Sequence, residues 1–287
     1  MAVEIEAVPD EDGNPWVGIT MTGLSAGDHR VRVWRIADGE RRAVERGRPV
    51  TDSDYLIDYS PPLNRSVTYS LEVVSGPDAG SVVEPVTVTV QSATGLISDP
   101  LDPTNVIPVH VGRLPNGEPT LVSGALARLD YRMDASLLPI LGSSQPVALL
   151  GQRLAASGID FSVFTDAAEQ NTALHNLLMQ AGPILVRPIP SWGDGLPGLC
   201  YTAIATVGRN RVDQHRGGVL TQWDLAGDLV AAPTNKILIA LFTYDDVEAL
   251  FATYDQKQLV MSGKTYLDDL KDPLGADASM SSMTSTS

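Results

Sequence analysis

The feature that most constrains the fold is the alternation of apolar and polar residues in the first third of the chain. In the clearest segment, single polar or charged residues separate Val67, Tyr69, Leu71 and Val73. A period of two places these side chains on one face of a β-strand and leaves the other face to solvent. Similar segments recur between turn residues, including an Asp38-Gly39 hairpin turn. They predict an immunoglobulin-like or fibronectin-like β-sandwich over residues 1–93.

Residues 94–109 interrupt this pattern with a stretch rich in proline and aspartate. The stretch, GLISDPLDPTNVIPV, contains Pro100, Pro103 and Pro108. Proline keeps the residue before it out of the helical region, so the stretch is expected to be extended or turned. We therefore predict a stiff connector between two bodies.

Residues 110–235 predict a second β domain, a closed or split β-barrel that carries one helix. Candidate strands outnumber helices there, and no repeated βαβ unit occurs. The helix is predicted over residues 166–181, capped by Thr165 or Asp166 and stopped by Gly182-Pro183. Residues 121–133 predict one long bent strand, and residues 199–207 and 219–225 a final antiparallel pair.

The apolar spacing becomes helical towards the C-terminus. Residues 236–275 predict a short helical segment, in which Tyr266, Leu267 and Leu270 share one face. Helices of this length are marginal in water, so we expect them to dock on the barrel or on another chain. Residues 276–287 contain too little apolar mass to fold and predict a flexible end.

The charge of the chain argues against nucleic-acid binding. Its formal net charge is −15, from 20 Lys and Arg and 35 Asp and Glu. Phosphate binding requires a clustered basic surface. The densest basic run, residues 41–48, is interrupted by Glu45 and is better explained as a solvated hairpin.

The sequence predicts a protein that is made in the cytoplasm and is soluble there. Its one cysteine, Cys200, lies in an apolar run and is expected to be buried and inert. The N-terminus is acidic and lacks the features of a signal peptide. No apolar run approaches the roughly 20 residues that span a bilayer.

No motif in the chain indicates catalysis, a cofactor or a metal, so we predict that the chain is not an enzyme. There is no HExxH, no Cys/His cluster, no GxSxG and no phosphate-binding glycine loop. Asp10, Asp12 and Asn14 resemble a calcium loop, but the downstream glutamate of an EF-hand is missing. We interpret that loop, and the acidic group of Asp52, Asp54 and Asp58, as solvated.

The tryptophans are the best candidates for contact residues. Trp16, Trp34, Trp192 and Trp223 lie in or beside predicted strands, where core or interface positions are expected. Trp192, in the loop PSWGDG, is the best candidate for an exposed contact. Trp192 and Trp223 are therefore the candidate contact residues.

Several stretches resemble minor tail proteins of long-tailed, siphovirus-type actinobacteriophages with a distal-tail-like split barrel. They are SDPLDPTNVIPV, FTDAAEQNTALHNLLMQAGPILVRPIPSW, VLTQWDLAGDLVAAP and YDDVEALFATYD. The stretch DYSPPLNRSVTYSLEVVSG is similar to a tail-associated fibronectin-like module. The stretch YDDVEALFATYD resembles a Tyr/Asp-rich helical repeat of that family, and residues 257–264 interrupt the Tyr/Asp periodicity.

The resemblance implies a structural protein of a phage tail tip or baseplate, located in the virion. Its expected partners are further copies of itself in a ring, neighbouring tail proteins and, as an open question, the host cell surface. A receptor-binding or carbohydrate-binding tail module is the alternative. A tail-associated hydrolase is less well supported, because the chain has no nucleophile motif or metal-ligand set.

Overall fold

The computed structural model describes residues 3–10, 13–112, 118–139, 141, 144–193, 195–212, 219–233, 247–248, 250–251 and 253–273. These residues are mainly β. They divide into two compact units, residues 1–91 with 237–287 and residues 92–236. The predicted flexible end, residues 276–287, lies outside the described residues.

The first unit contains two antiparallel sheets. The strands are β1 (Glu4–Asp10), β2 (Trp16–Thr22), β3 (His29–Ala37), β4 (Glu40–Val50), β5 (Asp54–Asp58), β6 (Ser66–Ser75) and β7 (Val86–Thr89). Their orders are β1-β2-β5 and β4-β3-β6-β7. The predicted hairpin turn joins β3 to β4, with φ of 51° at Asp38 and 77° at Gly39. Positive φ at both residues is typical of a type I′ turn, which Asp-Gly favours.

The alternation seen in the sequence defines the buried faces of these sheets. Val67, Tyr69, Leu71 and Val73 of β6 are all buried, as predicted, and the residues between them are more exposed. The same alternation runs along β3. Contacts of β1 with β6 and β7 bring the two sheets together. The core of the first unit therefore lies between the buried faces of its two sheets.

One ion pair is buried inside the first unit. Arg35 and Asp58 are 6% and 4% exposed, and Nη1 of Arg35 donates to both carboxylate oxygens at 2.9 and 2.7 Å. The same nitrogen donates to the carbonyl oxygen of Ser60 at 2.6 Å. Asp58 also accepts from the Tyr69 hydroxyl at 2.8 Å and from the Ser60 amide at 3.1 Å. These bonds satisfy a carboxylate that would otherwise be costly to bury.

The buried hydroxyl of Tyr69 makes the first unit sensitive to alkaline pH. Burial and the negative charge of Asp58 raise the pKa of Tyr69 far above its ordinary value. An unfolded tyrosine loses its proton near pH 10, whereas the folded chain retains it. Above that pH the unfolded state binds fewer protons, so stability falls as pH rises.

We expect Tyr69→Phe to weaken this alkaline dependence. The variant lacks the hydroxyl that loses its proton only in the unfolded chain. Its free energy of unfolding should therefore escape a fall of up to about 1.4 kcal/mol for each pH unit above pH 10. At pH 7 it should cost about 1–3 kcal/mol, because Asp58 loses a donor. Urea unfolding of the full chain between pH 7 and 11, followed by circular dichroism, measures both effects. Tyr254→Phe, at a position 81% exposed, is the matched control. Equal pH slopes for the two variants would contradict the prediction.

The second unit contains one large sheet and a separate strand pair. The strands are β8 (Gly95–Asp99), β9 (Asp102–Val109), β10 (Thr120–Leu121), β11 (Asp130–Leu138), β12 (Val147–Ser157), β13 (Ile159–Asp160), β14 (Val163–Thr165), β15 (Ile184–Arg187), β16 (Cys200–Arg211) and β17 (Thr221–Leu229). The large sheet has the order β10-β14-β17-β16-β15-β8-β9, and β13 pairs with β17. The predicted final antiparallel pair is confirmed as β16 and β17.

The stretch predicted as a stiff connector, residues 94–109, is instead part of the large sheet. It forms the hairpin β8–β9, in which Ile97 pairs with Ile107. Leu96 and Ile97 are each 1% exposed, so this segment belongs to the core. β9 is the last strand in the sheet order, and an edge strand tolerates prolines because its outer N–H groups need no partner.

The large sheet does not close into a barrel. Its two terminal strands are β9 and β10, and among the described residues no continuous ladder joins them. A single bridge links His110, just after β9, to Thr120 of β10, with Leu121 N donating to His110 O at 2.9 Å. The barrel predicted for residues 110–235 is therefore not confirmed.

The helix predicted over residues 166–181 is present as α1 (Ala168–Gln180). Its predicted cap is wrong: Ala167 is the N-cap residue, and no side chain caps the helix. The buried side of α1 contains Leu174, Leu177 and Leu178. Contacts between α1 and β9 place the helix in the second unit.

The single bent strand predicted over residues 121–133 is not observed. The chain leaves β10 at Leu121, turns through residues 123–126 and re-enters a strand at Asp130. Gly124 and Leu126 both have positive φ, 94° and 62°. Such backbone breaks a strand, so the apolar residues here belong to two elements.

Two short helices near the C-terminus belong to the first unit. They are α2 (Tyr254–Val260) and α3 (Tyr266–Lys271). Thr265 and Asp268 form a capping box at the start of α3. The prediction that these helices dock on the barrel or on another chain is wrong for α3, which contacts β5. Asp245 and Asp246, in the stretch YDDVEALFATYD that carries part of the resemblance, lie outside the described residues.

Candidate functional site

The most unusual surface of this chain is a two-stranded β-hairpin in the second unit. Among the described residues, β11 and β12 pair only with each other, and β12 also contacts β17. We call these two paired strands the arm. Its register shifts twice near the base, between Tyr131 and Ala135, and is regular from there to the pair Leu138–Val147. Bulges bend and twist a strand pair, so the arm is irregular at its base and regular at its tip.

The tip of the arm is exposed on both faces. All described side chains of residues 135–139 and 144–152 are exposed, whereas an ordinary sheet strand buries alternate residues. The large apolar side chains exposed on the arm and its turn are Tyr131, Leu137, Leu138, Leu141, Val147, Leu149 and Leu150, between 46% and 104% exposed. Their burial by a partner would be favourable.

The tip also carries no charge. Residues 135–152 contain no Asp, Glu, Lys, Arg or His, although 19% of the chain is charged. An isolated two-stranded hairpin is at best marginally stable in water. A monomeric protein rarely exposes a large contiguous apolar patch, and such patches mark sites of interaction. The arm tip, residues 135–138 and 147–150, is therefore the candidate functional site.

The two tryptophans predicted as contact residues lie inside the second unit. Trp192 is 7% exposed, so the exposure expected for it is not observed. It packs against β8, because a Cβ on Gly95 would overlap its indole ring. Trp223 is 1% exposed, which agrees with the expected core position. A contact role for either residue stays a prediction that no observation tests.

A buried polar network explains the position of Trp223. Its Nε1 donates to the Thr165 hydroxyl at 2.9 Å, and that hydroxyl donates to Oδ1 of Asn171 at 2.7 Å. Nδ2 of Asn171 donates to the Val219 carbonyl at 2.9 Å. The network links β14, β17 and α1. Buried polar groups satisfied in this way fix one packing of helix on sheet, so the role is structural.

The basic run predicted as a solvated hairpin lies on β4, with β3 beside it. Trp34 of β3 lies between Arg41 and Arg32, whose Cζ atoms are 4.0 and 5.4 Å from its ring centroid. Glu72 accepts from Trp34 Nε1 at 2.8 Å and from Arg32 at 3.4 Å. These bonds, led by that from Trp34, hold the pKa of Glu72 below its ordinary value. The arginines are thus balanced locally by a carboxylate.

The interpretation of Asp52, Asp54 and Asp58 as a solvated acidic group is wrong for two of its members, because Asp54 and Asp58 are only 8% and 4% exposed. Asp58 pairs with Arg35, and Asp54 pairs with Arg48. Asp12 lies outside the described residues, as does the side chain of Asp10. In the part of the chain that the structure describes, no three His, Cys, Asp or Glu side chains are arranged to hold a metal ion.

Cys200 and His110 are two further potentially reactive side chains of the second unit. Cys200 is fully buried, as predicted, and its thiol donates to the Pro197 carbonyl at 3.4 Å. His110 forms an ion pair with Glu118 near the bridge between His110 and Thr120. Within the described ranges, no helix is both long enough and apolar enough to cross a membrane.

No protein-family model matches this chain, and neither does any curated protein. The functional interpretation therefore depends on the geometry of the arm and on the motifs that carry the resemblance. The arm was not predicted from the sequence. The sequence signal for the arm is the uncharged run of residues 135–152. Within this run, Pro139 and Pro146 lie on either side of the turn.

Proposed function

We propose that this chain is a structural protein of a phage tail tip or baseplate that works by self-association through the arm. The proposal assigns it no catalytic site and no cofactor. Copies made in the host cytoplasm would assemble with one another and with neighbouring tail proteins, and the assembled protein would reside in the virion tail.

The exposed, uncharged tip of the arm is the observation that carries this proposal. Apolar side chains on both faces of one hairpin favour burial in an assembly rather than exposure on a monomer. An element that reaches from one copy to a different surface on the next makes a head-to-tail interface, and such interfaces generate rings when the rotation closes. An acidic body with an uncharged arm tip is consistent with solubility before assembly.

The proposal includes a fibronectin-like sandwich in the first unit and a split barrel in the second, and features of both units support it. The strand orders β1-β2-β5 and β4-β3-β6-β7 support a fibronectin-like sandwich in the first unit. In the second unit, the bridge from His110 to Thr120 connects the two ends of the sheet order, as expected for a split barrel. One helix accompanies that sheet, in agreement with the resemblance.

The position of the chain in the particle tests the proposal. Mass spectrometry of purified particles should detect the chain, and an electron-microscopy map should place several copies around the tail axis. As a control, the same preparation from a phage lacking the gene for this chain should lack both signals. Particles that are complete without the chain would contradict a structural role.

The alternative of a receptor-binding or carbohydrate-binding module has less support. Sugar platforms use exposed aromatic rings, whereas Trp192 and Trp223 are buried. Trp34 is partly exposed but is covered by Arg41. Binding of the full chain to a glycan array, lost in Trp34→Ala and retained in the arm variants described below, would favour the alternative.

A further inference from the structure

The sheet edges of this chain differ in how they are protected. A strand at the edge of a sheet exposes backbone donors and acceptors that other strands can pair with, and proteins block such edges with prolines, charges, short strands or covering elements. In the first unit, β1 contains Pro9, β4 contains several arginines and Pro49, β7 is four residues long, and β5 has α3 against it. These edges are poorly suited to pairing.

The large sheet of the second unit is protected in the same ways. β10 contains two residues only, and β9 contains Pro103 and Pro108. Each proline removes a backbone donor, which makes an incoming ladder incomplete. The body of the second unit is therefore also poorly suited to receive a strand.

The arm tip has none of these protections. Within residues 135–138 and 147–150 there is no charge, no proline and no register shift. The two bulges lie nearer the base, where Asp130, Arg132 and Asp134 also lie. Among the described sheet edges, the tip alone is both regular and unblocked.

The chemistry of these edges identifies the kind of partner. In the part of the chain that the structure describes, β11 pairs only with β12, so each strand leaves one row of N–H and C=O groups outside the pair. A lipid surface would suit the leucines, but unsatisfied backbone groups are costly in hydrocarbon. A β-strand satisfies both the backbone and the side chains.

We infer that the arm tip pairs edge to edge with the arm tip of another copy of this chain. The inference rests on the proposed self-association. Because the other described sheet edges of the chain are blocked, the arm tip of one copy can pair only with the arm tip of another. The β11 edge of one arm and the β12 edge of the next form an antiparallel pair when the two arms point the same way. Each arm then keeps one free edge, so the interface repeats beyond a dimer and is heterologous.

Disulfide trapping between two single variants tests the pairing. One batch of the full chain carries Ser136→Cys and another carries Leu149→Cys, residues that face each other within one arm. When the batches are mixed, a disulfide between the two variants joins separate copies. Ala148→Cys replaces Leu149→Cys in a parallel mixture to cover a one-residue slip. Native Cys200 is buried and stays in place.

The matched control is Ala173→Cys on the exposed side of α1, mixed with Ser136→Cys. A disulfide requires Cβ atoms about 3.5–4.5 Å apart, so we expect at least about tenfold more mixed dimer from an arm pair than from the control.

Several results would overturn the inference. No mixed disulfide, in a protein whose self-association is lost on substituting Leu137 and Leu149 with glutamate, would leave the proposed function standing and reject edge pairing. No disulfide together with unaffected assembly would reject both. Self-association of the unsubstituted chain that stops at two copies in sedimentation velocity would also contradict it, as would binding of the chain to phosphatidylcholine vesicles in place of crosslinking.

Discussion

Replacing Leu137 and Leu149 together with glutamate is expected to keep the chain monomeric at concentrations where the unsubstituted chain assembles. The two leucines are 64% and 58% exposed, so the substitutions remove apolar surface that the monomer does not bury. A fully buried leucine contributes roughly 1.5–3 kcal/mol. The loss of two should raise the dissociation constant by about a hundredfold to ten-thousandfold.

Sedimentation velocity over a range of protein concentrations measures this effect. Leu259→Glu is the matched control, because Leu259 is 76% exposed but lies on α2 in the first unit. Thermal unfolding should be nearly unchanged for both proteins, since surface substitutions usually change stability by less than about 0.5 kcal/mol. Equal association by the double variant and the control would exclude the arm as the assembly surface.

Removing Arg35 from its buried ion pair is expected to cause a large loss of stability. Arg35→Met leaves the Asp58 carboxylate buried without its charged partner, and such losses cost about 3–5 kcal/mol. Arg42→Met is the control, because Arg42 bonds Glu40 at 2.8 Å on the surface. An exposed pair of that kind contributes about 0–1 kcal/mol.

A double variant separates the cost of a lone charge from the value of the pair. In Arg35→Met with Asp58→Leu, no buried charge remains, so part of the lost stability should return. Urea unfolding of each full-chain protein gives the four free energies of the cycle. If the single and double variants were equally unstable, packing rather than charge would explain the loss.

Local pattern was sufficient to predict much of the first unit. The alternation in residues 67–73 predicts both β6 and its buried face, because a period of two leaves no other arrangement for those side chains. The Asp38-Gly39 turn follows from the tolerance of both residues for positive φ. Local pattern does not predict the partners of Arg35, because Asp58 and Tyr69 approach it only when three strands are assembled.

The misassigned stretches show where local pattern is insufficient. Prolines in residues 94–109 indicate extended backbone, but not whether that backbone is a linker or an edge strand. The apolar residues between 121 and 133 fit one strand equally well, because nothing in their order reveals the positive φ of Leu126. Position in a sheet depends on distant residues, and one sequence does not display them.

The arm itself is the least predictable part of the candidate site. Its tip has apolar residues on both faces, a pattern that usually indicates a strand buried on both sides. Only the folded chain shows that the described side chains on both faces of the tip are exposed. The signal in the sequence is the uncharged run of residues 135–152. It indicates an interaction surface only once the structure shows that these side chains are exposed.

The distribution of the tryptophans makes the two units distinguishable by fluorescence. Trp16 and Trp34 lie in the first unit and are partly exposed, whereas Trp192 and Trp223 lie in the second unit and are buried. The shorter-wavelength emission of the native chain therefore belongs to the second unit. Loss of the packing contact between the Trp192 ring and Gly95 would shift that emission to longer wavelength. The chain thus contains its own optical reporter for the unit that carries the arm, without any added label.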